Sequence, residues 1–224
     1  MRTVAGCDID YVLDKLAWMR ERRIWPNGRR YLWTDAFGVV LLVSLHAESG
    51  ERRYLDQACE LVADRDGQYF HYLAMWMYAL AVLGRYAPGY TLKGVELARD
   101  VHEAFVVPGR GVWWKMREDL SGPYPGFESF GALDAFDGYV SYRLLDEAAL
   151  ASQISDMRML IGQSDEKLVI TQDLGIGMML WMSHFFPLEQ WAVIQRSRGV
   201  AMLGQMWVND AWFCREPGLQ DVKF

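Results

Sequence analysis

The sequence predicts an all-α fold in which helical hairpins form an (α/α)6-type toroid. Three observations indicate this architecture: nearly apolar helical runs alternate with amphipathic ones, most connections are short, and an aspartate next to a glycine or an aromatic residue precedes the apolar runs. In a toroid the inner helices are covered on both sides and are apolar all round, whereas the outer helices keep one polar face. We therefore expect one domain that spans residues 1–224.

The first half of the chain is predicted to contain five helices. Apolar residues recur at helical spacing, and turn residues such as Pro, Gly and Asn separate the runs. Val39, Val40 and Val43 are β-branched and also allow a buried strand in the second element, but its length and its Ala and Leu content favour a helix. The five ranges, in order, are 8–21, 31–46, 53–63, 69–83 and 92–105.

A stretch rich in Gly and Pro, residues 108–131, interrupts this alternation. A loop of such length is uncommon inside a compact domain and is often functional. Alternating aromatic and polar residues at 113–119 indicate a short extended segment within it. Four further helices are then predicted at 133–145, 147–161, 174–186 and 188–203.

Whether the helical hairpins form a closed ring depends on how many of them the chain contains. A repeat of roughly 40 residues is also typical of a straight helical solenoid, although solenoids usually have a tighter consensus. A ring of six hairpins needs one more inner helix, for which the tail offers only a possible start near Gln220 and Asp221. The sequence thus leaves open whether residues are missing near 64–66 and 207–212 and after 224.

Composition excludes several classes of function. Hydrophobic residues make up 52% and charged residues 23% of the chain, as in globular proteins. The net charge of -6 and the absence of a basic stripe predict no nucleic-acid partner. No apolar run is long enough for a membrane span, and the start lacks the apolar core of a signal peptide, so we expect a cytoplasmic protein without a membrane partner. Its oligomeric state is left open.

The cysteines indicate neither a metal nor a cofactor. Cys7, Cys59 and Cys214 are odd in number, widely spaced and outside any zinc-ligand pattern. We therefore predict no cofactor and no metal, although a ring of aspartates also suits Ca²⁺.

Aspartates at the starts of the inner helices are the main candidates for chemistry. Asp35, Asp66, Asp134 and Asp173 occupy such positions, where helix capping and the helix macrodipole alone explain an aspartate. In a ring, however, the inner helices run parallel and their N-termini meet at one mouth. Carboxylates gathered there raise one another's pKa, which provides one acid and one base. Asp137 lies three residues after Asp134, and we expect one of the two to cap the helix and the other to face the cavity.

Two segments carry polar groups that a helix cap does not need. Asp66, Gln68 and His71 cannot all cap one helix, so His71 is either a general base at the mouth or a buried histidine bonded to a backbone carbonyl. Lys115 lies among aromatic residues of the loop. It pairs with an aspartate, holds a substrate oxygen, or packs its stem on aromatic rings.

Aromatic residues near these groups are candidates for sugar stacking. The chain contains 10 Trp, 11 Tyr and 10 Phe, most of which we expect to fill the core. The residues predicted to bind substrate are Trp33, Asp35, Gln68, Tyr69, Trp113, Trp114, Lys115 and Asp173.

Four segments resemble a poorly characterised family of six-hairpin glycosidase-like proteins. They are Asp66-Gly67-Gln68-Tyr69-Phe70-His71-Tyr72-Leu73, Trp114-Lys115-Met116 with Asp119-Leu120-Ser121, Leu133-Asp134-Ala135-Phe136-Asp137-Gly138, and Thr171-Gln172-Asp173-Leu174-Gly175-Ile176-Gly177. The resemblance covers most of the chain in order and implies an (α/α) toroid. It implies no activity, because fold does not determine function.

The leading functional hypothesis is a carbohydrate-active protein, specifically a glycoside hydrolase. Asp66 with Asp134 or Asp137 would be its acid and base, because glycoside cleavage requires a carboxyl pair. A sugar epimerase or isomerase, with His71 as the proton-transfer base, is the second hypothesis. The third is a binding or scaffold toroid without catalysis, whose expected partner is again a small carbohydrate.

Overall fold

The computed structural model describes residues 9–25, 32–62, 69–117, 119–164 and 167–206, and these are all-α apart from one small sheet. Nine helices occur within these ranges, and each overlaps a helix predicted from the sequence, including the 31–46 run for which a strand was the alternative. The helices are α1 Ile9–Glu21, α2 Leu32–Ser49, α3 Arg52–Val62, α4 Phe70–Gly84, α5 Gly89–Phe105, α6 Asp134–Asp146, α7 Ala151–Ser164, α8 Asp173–Phe185 and α9 Gln190–Met206.

Helices α2 to α9 form four consecutive hairpins. α2 packs against α3, α4 against α5, α6 against α7, and α8 against α9. The first members of the hairpins also pack on one another in order, α2 on α4, α4 on α6, and α6 on α8. We call α2, α4, α6 and α8 the inner row and their partners the outer row.

The predicted difference between inner and outer helices is seen in α4 and α3, whereas α8 exposes Leu174 and His184. α4 is buried almost throughout, with Phe70, Trp76 and Leu83 fully enclosed, because helices cover it on several sides. The outer helix α3 instead buries one stripe, led by Tyr54 and Ala58, and exposes its charged residues. The hydrophobic core extends through both rows and includes side chains from α1 to α9.

The inner row is bent. The ring of Trp181 on α8 lies 4.8 Å from that of Tyr78 on α4 and 6.2 Å from that of Phe37 on α2, measured between ring centroids. α8 therefore reaches α2, which is three positions earlier in the row.

The Gly/Pro-rich connection between α5 and α6 contains the small sheet. Strands β1 Val106–Val107 and β2 Gly111–Val112 are antiparallel, and Gly109 in the turn between them has a φ of +70°, a conformation that favours glycine. The chain continues in extended form, and isolated bridges pair Trp113 with Phe130 and Lys115 with Tyr69. The expected extended segment is confirmed over residues 113–116, and it ties the loop to the start of α4.

None of the helices in the described ranges combines the length and the apolar character that crossing a bilayer requires. The proposed helix start near Gln220 and Asp221 lies outside the described residues.

A candidate site at the N-termini of two inner helices

Three polar side chains meet where α4 and α6 begin. His71 lies in the first turn of α4, and Asp134 and Asp137 lie in the first turn of α6. Each residue contributes one potential ligand atom, and the three atoms lie within 4.8 Å of one another. His71 Nδ1 is 2.7 Å from Asp137 Oδ2, a distance typical of a charge-assisted hydrogen bond. We call His71, Asp134 and Asp137 the polar cluster.

The start of α6 differs from the expectation that one of its aspartates caps the helix. Leu133 occupies the N-cap position and makes no side-chain cap, so Asp134 is the first helical residue and Asp137 the fourth. Residues three apart share one face of a helix, and both carboxyls are therefore buried on the side that meets α4. The carboxyl of Asp137 is held by His71 instead of a backbone amide.

Burial gives the two carboxyl groups unusual electrostatics. Asp134 is 3% exposed and Asp137 is 0% exposed. Removal from water and the proximity of Asp137 raise the pKa of Asp134 well above its usual value, which favours a protonated Asp134. Asp134 Oδ2 and Asp137 Oδ1 are buried without a hydrogen-bond partner, within the described part of the chain.

Gly131 makes room for this arrangement. A Cβ atom built on Gly131 would overlap the carboxyl group of Asp134. Gly131 N donates a hydrogen bond to Val112 O, which holds the loop against the start of α6. The glycine before α6 is thus needed for the close approach of backbone and carboxyl.

The polar cluster has the composition of a metal site as well as that of a proton-transfer site. One imidazole and two carboxylates from two rigid helices are donors that Zn²⁺, Mn²⁺ and Fe²⁺ accept. Among the residues that the structure describes, no other group of three His, Cys, Asp or Glu side chains is close enough to hold an ion.

An aromatic surface lies beside His71. It consists of Tyr69, Tyr72, Trp114, Tyr124 and Phe127, and we call it the aromatic patch. Tyr69 is 5.0 Å from Tyr72 and 5.3 Å from Trp114, and Trp114 is 5.6 Å from Phe127, between ring centroids. Trp114, Tyr124 and Phe127 are exposed, and the ring of Tyr72 lies 6.0 Å from that of His71.

Lys115 lies against the aromatic patch. Its Nζ is 4.7, 4.3 and 4.9 Å from the ring centroids of Tyr69, Tyr124 and Phe127. Of the three arrangements expected for Lys115, the structure shows packing on aromatic rings. Such contacts are favourable and fix the loop over the start of α4.

The remaining predicted site residues are not part of the polar cluster. Asp35 is buried and accepts a hydrogen bond of 2.9 Å from Trp25 Nε1. Asp173 is exposed, and its Oδ1 accepts a hydrogen bond from the backbone N–H of Leu174. Trp113 points away from the patch and packs on Phe130, with 4.4 Å between ring centroids.

Three of the predicted residues cannot be placed. Asp66 and Gln68 lie outside the described residues, and Trp33 is described only as backbone of α2. Asp134 and Asp137 lie together in the polar cluster but belong to the same helix, so the expected meeting of carboxylates from different inner helices stays a prediction.

Several residues of the site were not among the sequence-based candidates. Tyr72, Tyr124 and Phe127 complete the aromatic patch, and Gly131 accommodates Asp134. Tyr124 and Phe127 lie in the Gly/Pro-rich loop. The length and composition of that loop were the sequence features that could have identified them. Tyr72 lies one residue after His71, a spacing that by itself predicts no shared site.

The fold and the site define a class of protein: helical hairpins that carry a buried His–Asp–Asp cluster next to an exposed aromatic patch. No family model, curated protein or solved structure matches the chain.

Proposed function

We propose that this protein is carbohydrate-active and that its ligand stacks on the aromatic patch and reaches His71. The observation that carries the proposal is the continuity of exposed rings with a partly buried, hydrogen-bonded histidine. Aromatic faces suit the apolar faces of sugar rings, and polar side chains beside them suit the hydroxyl groups. Trp114 is the tryptophan of the patch, and it is exposed.

A toroid architecture is part of the same proposal. The two rows of helices and the contacts of Trp181 with Phe37 and Tyr78 support a closed or nearly closed inner row. Membership in the six-hairpin glycosidase-like family and a cytoplasmic location stay predictions from the sequence.

The burial of the carboxyl groups favours proton transfer through His71 over hydrolysis by a carboxyl pair. Asp134 and Asp137 are nearly or fully inaccessible, so a bound sugar would not touch them in this arrangement. The side chain of His71 is 19% exposed and is the accessible member of the polar cluster. Asp137 fixes the orientation of its ring, as a carboxylate behind a catalytic histidine does. We therefore favour a sugar epimerase or isomerase over a glycoside hydrolase.

The test is a screen of neutral sugars, glycosides and uronides in D₂O, followed by NMR and mass analysis. Epimerisation or isomerisation gives an unchanged sugar skeleton that gains deuterium at a carbon, whereas hydrolysis gives new reducing ends. We expect His71→Gln to lower turnover by about 10²–10⁴-fold, the usual contribution of a general acid or base.

Binding is tested with Trp114→Ala. Loss of one stacking ring should weaken sugar binding by about 0.5–1.5 kcal/mol, or about 2–10-fold. Trp18→Ala is the matched control, because Trp18 is an exposed tryptophan of α1 outside the site. Turnover unchanged by His71→Gln would reject the proton-transfer role. Binding that survives Trp114→Ala unchanged would reject the aromatic patch, and tight binding without turnover would identify a non-catalytic carbohydrate-binding module.

A further inference from the structure

We propose that the polar cluster binds one divalent transition-metal cation, with Zn²⁺ as the representative ion. His71 would supply an imidazole nitrogen, and Asp134 and Asp137 would each supply a carboxylate oxygen. This inference concerns the same cluster as the proposed function but does not require that the ligand be a carbohydrate. A His71 nitrogen that binds the cation cannot also accept a proton, so metal binding and proton transfer at that nitrogen are alternatives.

The geometry of the three donors suits such an ion. Tetrahedral zinc takes nitrogen and oxygen ligands at about 2.0–2.2 Å, which places neighbouring donors about 3.4 Å apart. The three potential ligand atoms already lie within 4.8 Å of one another. Shifts of about 1 Å, within reach of side-chain rotation, bring them to zinc distances.

Unpartnered oxygen atoms provide an independent reason for an ion. Asp134 Oδ2 and Asp137 Oδ1 are buried and accept no hydrogen bond in the described part of the chain. A buried acceptor without a partner costs about 1–3 kcal/mol, and two neighbouring carboxylates also repel each other. A proton on one carboxyl relieves the repulsion and provides a single hydrogen-bond donor. A divalent cation neutralises both charges and uses both groups as ligands.

The donor set selects the kind of cation. Ca²⁺ and Mg²⁺ prefer sites built from oxygen alone, whereas an imidazole nitrogen suits zinc and its transition-metal neighbours. Three protein ligands leave a fourth position open, as in catalytic zinc sites. The side chain of His71 is 19% exposed, more than that of Asp137, which is fully buried.

The rigidity of the frame supports the same assignment. All three donors stand on first turns of α4 and α6, two helices that pack directly against each other. Metal sites built on helices hold their ligands more precisely than sites built on loops. The backbone of Gly131 lies close to the Asp134 carboxyl.

The experiment measures Zn²⁺ itself. The full chain, stripped with a chelator, is dialysed against Zn²⁺, and bound zinc is counted by elemental analysis. Titration calorimetry then gives the affinity. We expect one zinc ion per chain in the wild type and binding weaker by at least about 100-fold in Asp134→Asn, since even outer-shell partners of a metal contribute about 10–100-fold. Substitution with Co²⁺ should give the visible absorption bands of a low-coordinate site.

Asp173→Asn is the matched control, because it removes an exposed aspartate at the start of another inner helix. Asp137→Asn is a second test of the ligand set, and circular dichroism verifies that each variant is folded.

Absence of zinc binding in the folded wild type, or binding unchanged in both cluster variants, would overturn the proposal and leave the proton on Asp134 as the source of neutrality. Zinc binding without any sugar turnover would refute only the proposed function, and turnover that persists in chelator without zinc binding would refute only the metal site.

Discussion

Gly131 shows how a single residue sets the geometry of the polar cluster. A methyl group at this position would overlap the Asp134 carboxyl, which is buried. We predict that Gly131→Ala lowers the free energy of unfolding by about 1–3 kcal/mol, the usual cost of overpacking. Urea denaturation measures the effect.

Gly162→Ala is the control for that substitution. Gly162 is exposed in α7, and a Cβ built there meets nothing within 4 Å. Alanine at an open helical position should stabilise the protein by about 0.5–1 kcal/mol. Equal effects of the two substitutions would contradict the packing role of Gly131.

At the residue scale, the sequence singled out three residues that lie close together in space, but it did not predict how they pair. His71, Asp134 and Asp137 stand out in the sequence because the starts of these helices carry more polar residues than helix capping needs. Their mutual contact depends on the side-by-side packing of α4 and α6, which no local pattern encodes. Asp173 begins an inner helix as Asp134 does, yet it is exposed, and its carboxyl accepts a hydrogen bond from the backbone amide of Leu174.

At the element scale, His102 and Asp156 join two outer helices, α5 and α7. His102 Nε2 lies 3.3 Å from Asp156 Oδ2, and the other ring nitrogen is buried without a hydrogen-bond partner in the described residues. Burial lowers the pKa of His102 below its usual value, although the hydrogen bond and the charge of Asp156 act in the opposite direction. The unfolded chain therefore takes up this proton at a higher pH than the folded protein does.

That difference predicts a loss of stability in acid. The contribution of His102 is complete above about pH 6.5 and declines as the pH falls through that value, because the unfolded state then binds the extra proton. His102→Gln should thus show a smaller decrease in melting temperature than the wild type between about pH 7 and pH 5. Asp156→Asn should show a larger one, because it removes the group that opposes the shift. Identical pH profiles for the wild type and His102→Gln would disprove the prediction.

The elements themselves were largely predictable. Apolar residues that recur every three or four positions identify α3 and α5, and mainly apolar runs identify α4 and α8. The loop between α5 and α6 was less predictable from the sequence. Its strand pair at residues 106–107 and 111–112 is too short to show an alternating pattern, and it depends on a turn at Gly109.

At the scale of the whole molecule, Trp181 distinguishes a bent inner row from a straight stack of hairpins. In a straight solenoid each repeat contacts only its neighbours. Trp181 lies on α8, in the fourth hairpin. It nevertheless contacts Phe37 on α2, in the first hairpin. Its additional contacts with Tyr78 and Phe185 place it at a junction of the inner row.

We predict that Trp181→Ala destabilises the molecule as a whole. The expected loss is about 2–4 kcal/mol, somewhat below the range for fully enclosed tryptophans because Trp181 is only half-buried. Since the ring joins α8 to both α2 and α4, a single unfolding transition should shift to lower urea concentration. Trp18→Ala on the exposed face of α1 should change stability by no more than about 0.5 kcal/mol. A transition that splits in two, with α8 and α9 melting first, would instead show that the hairpins are energetically independent, as in a solenoid.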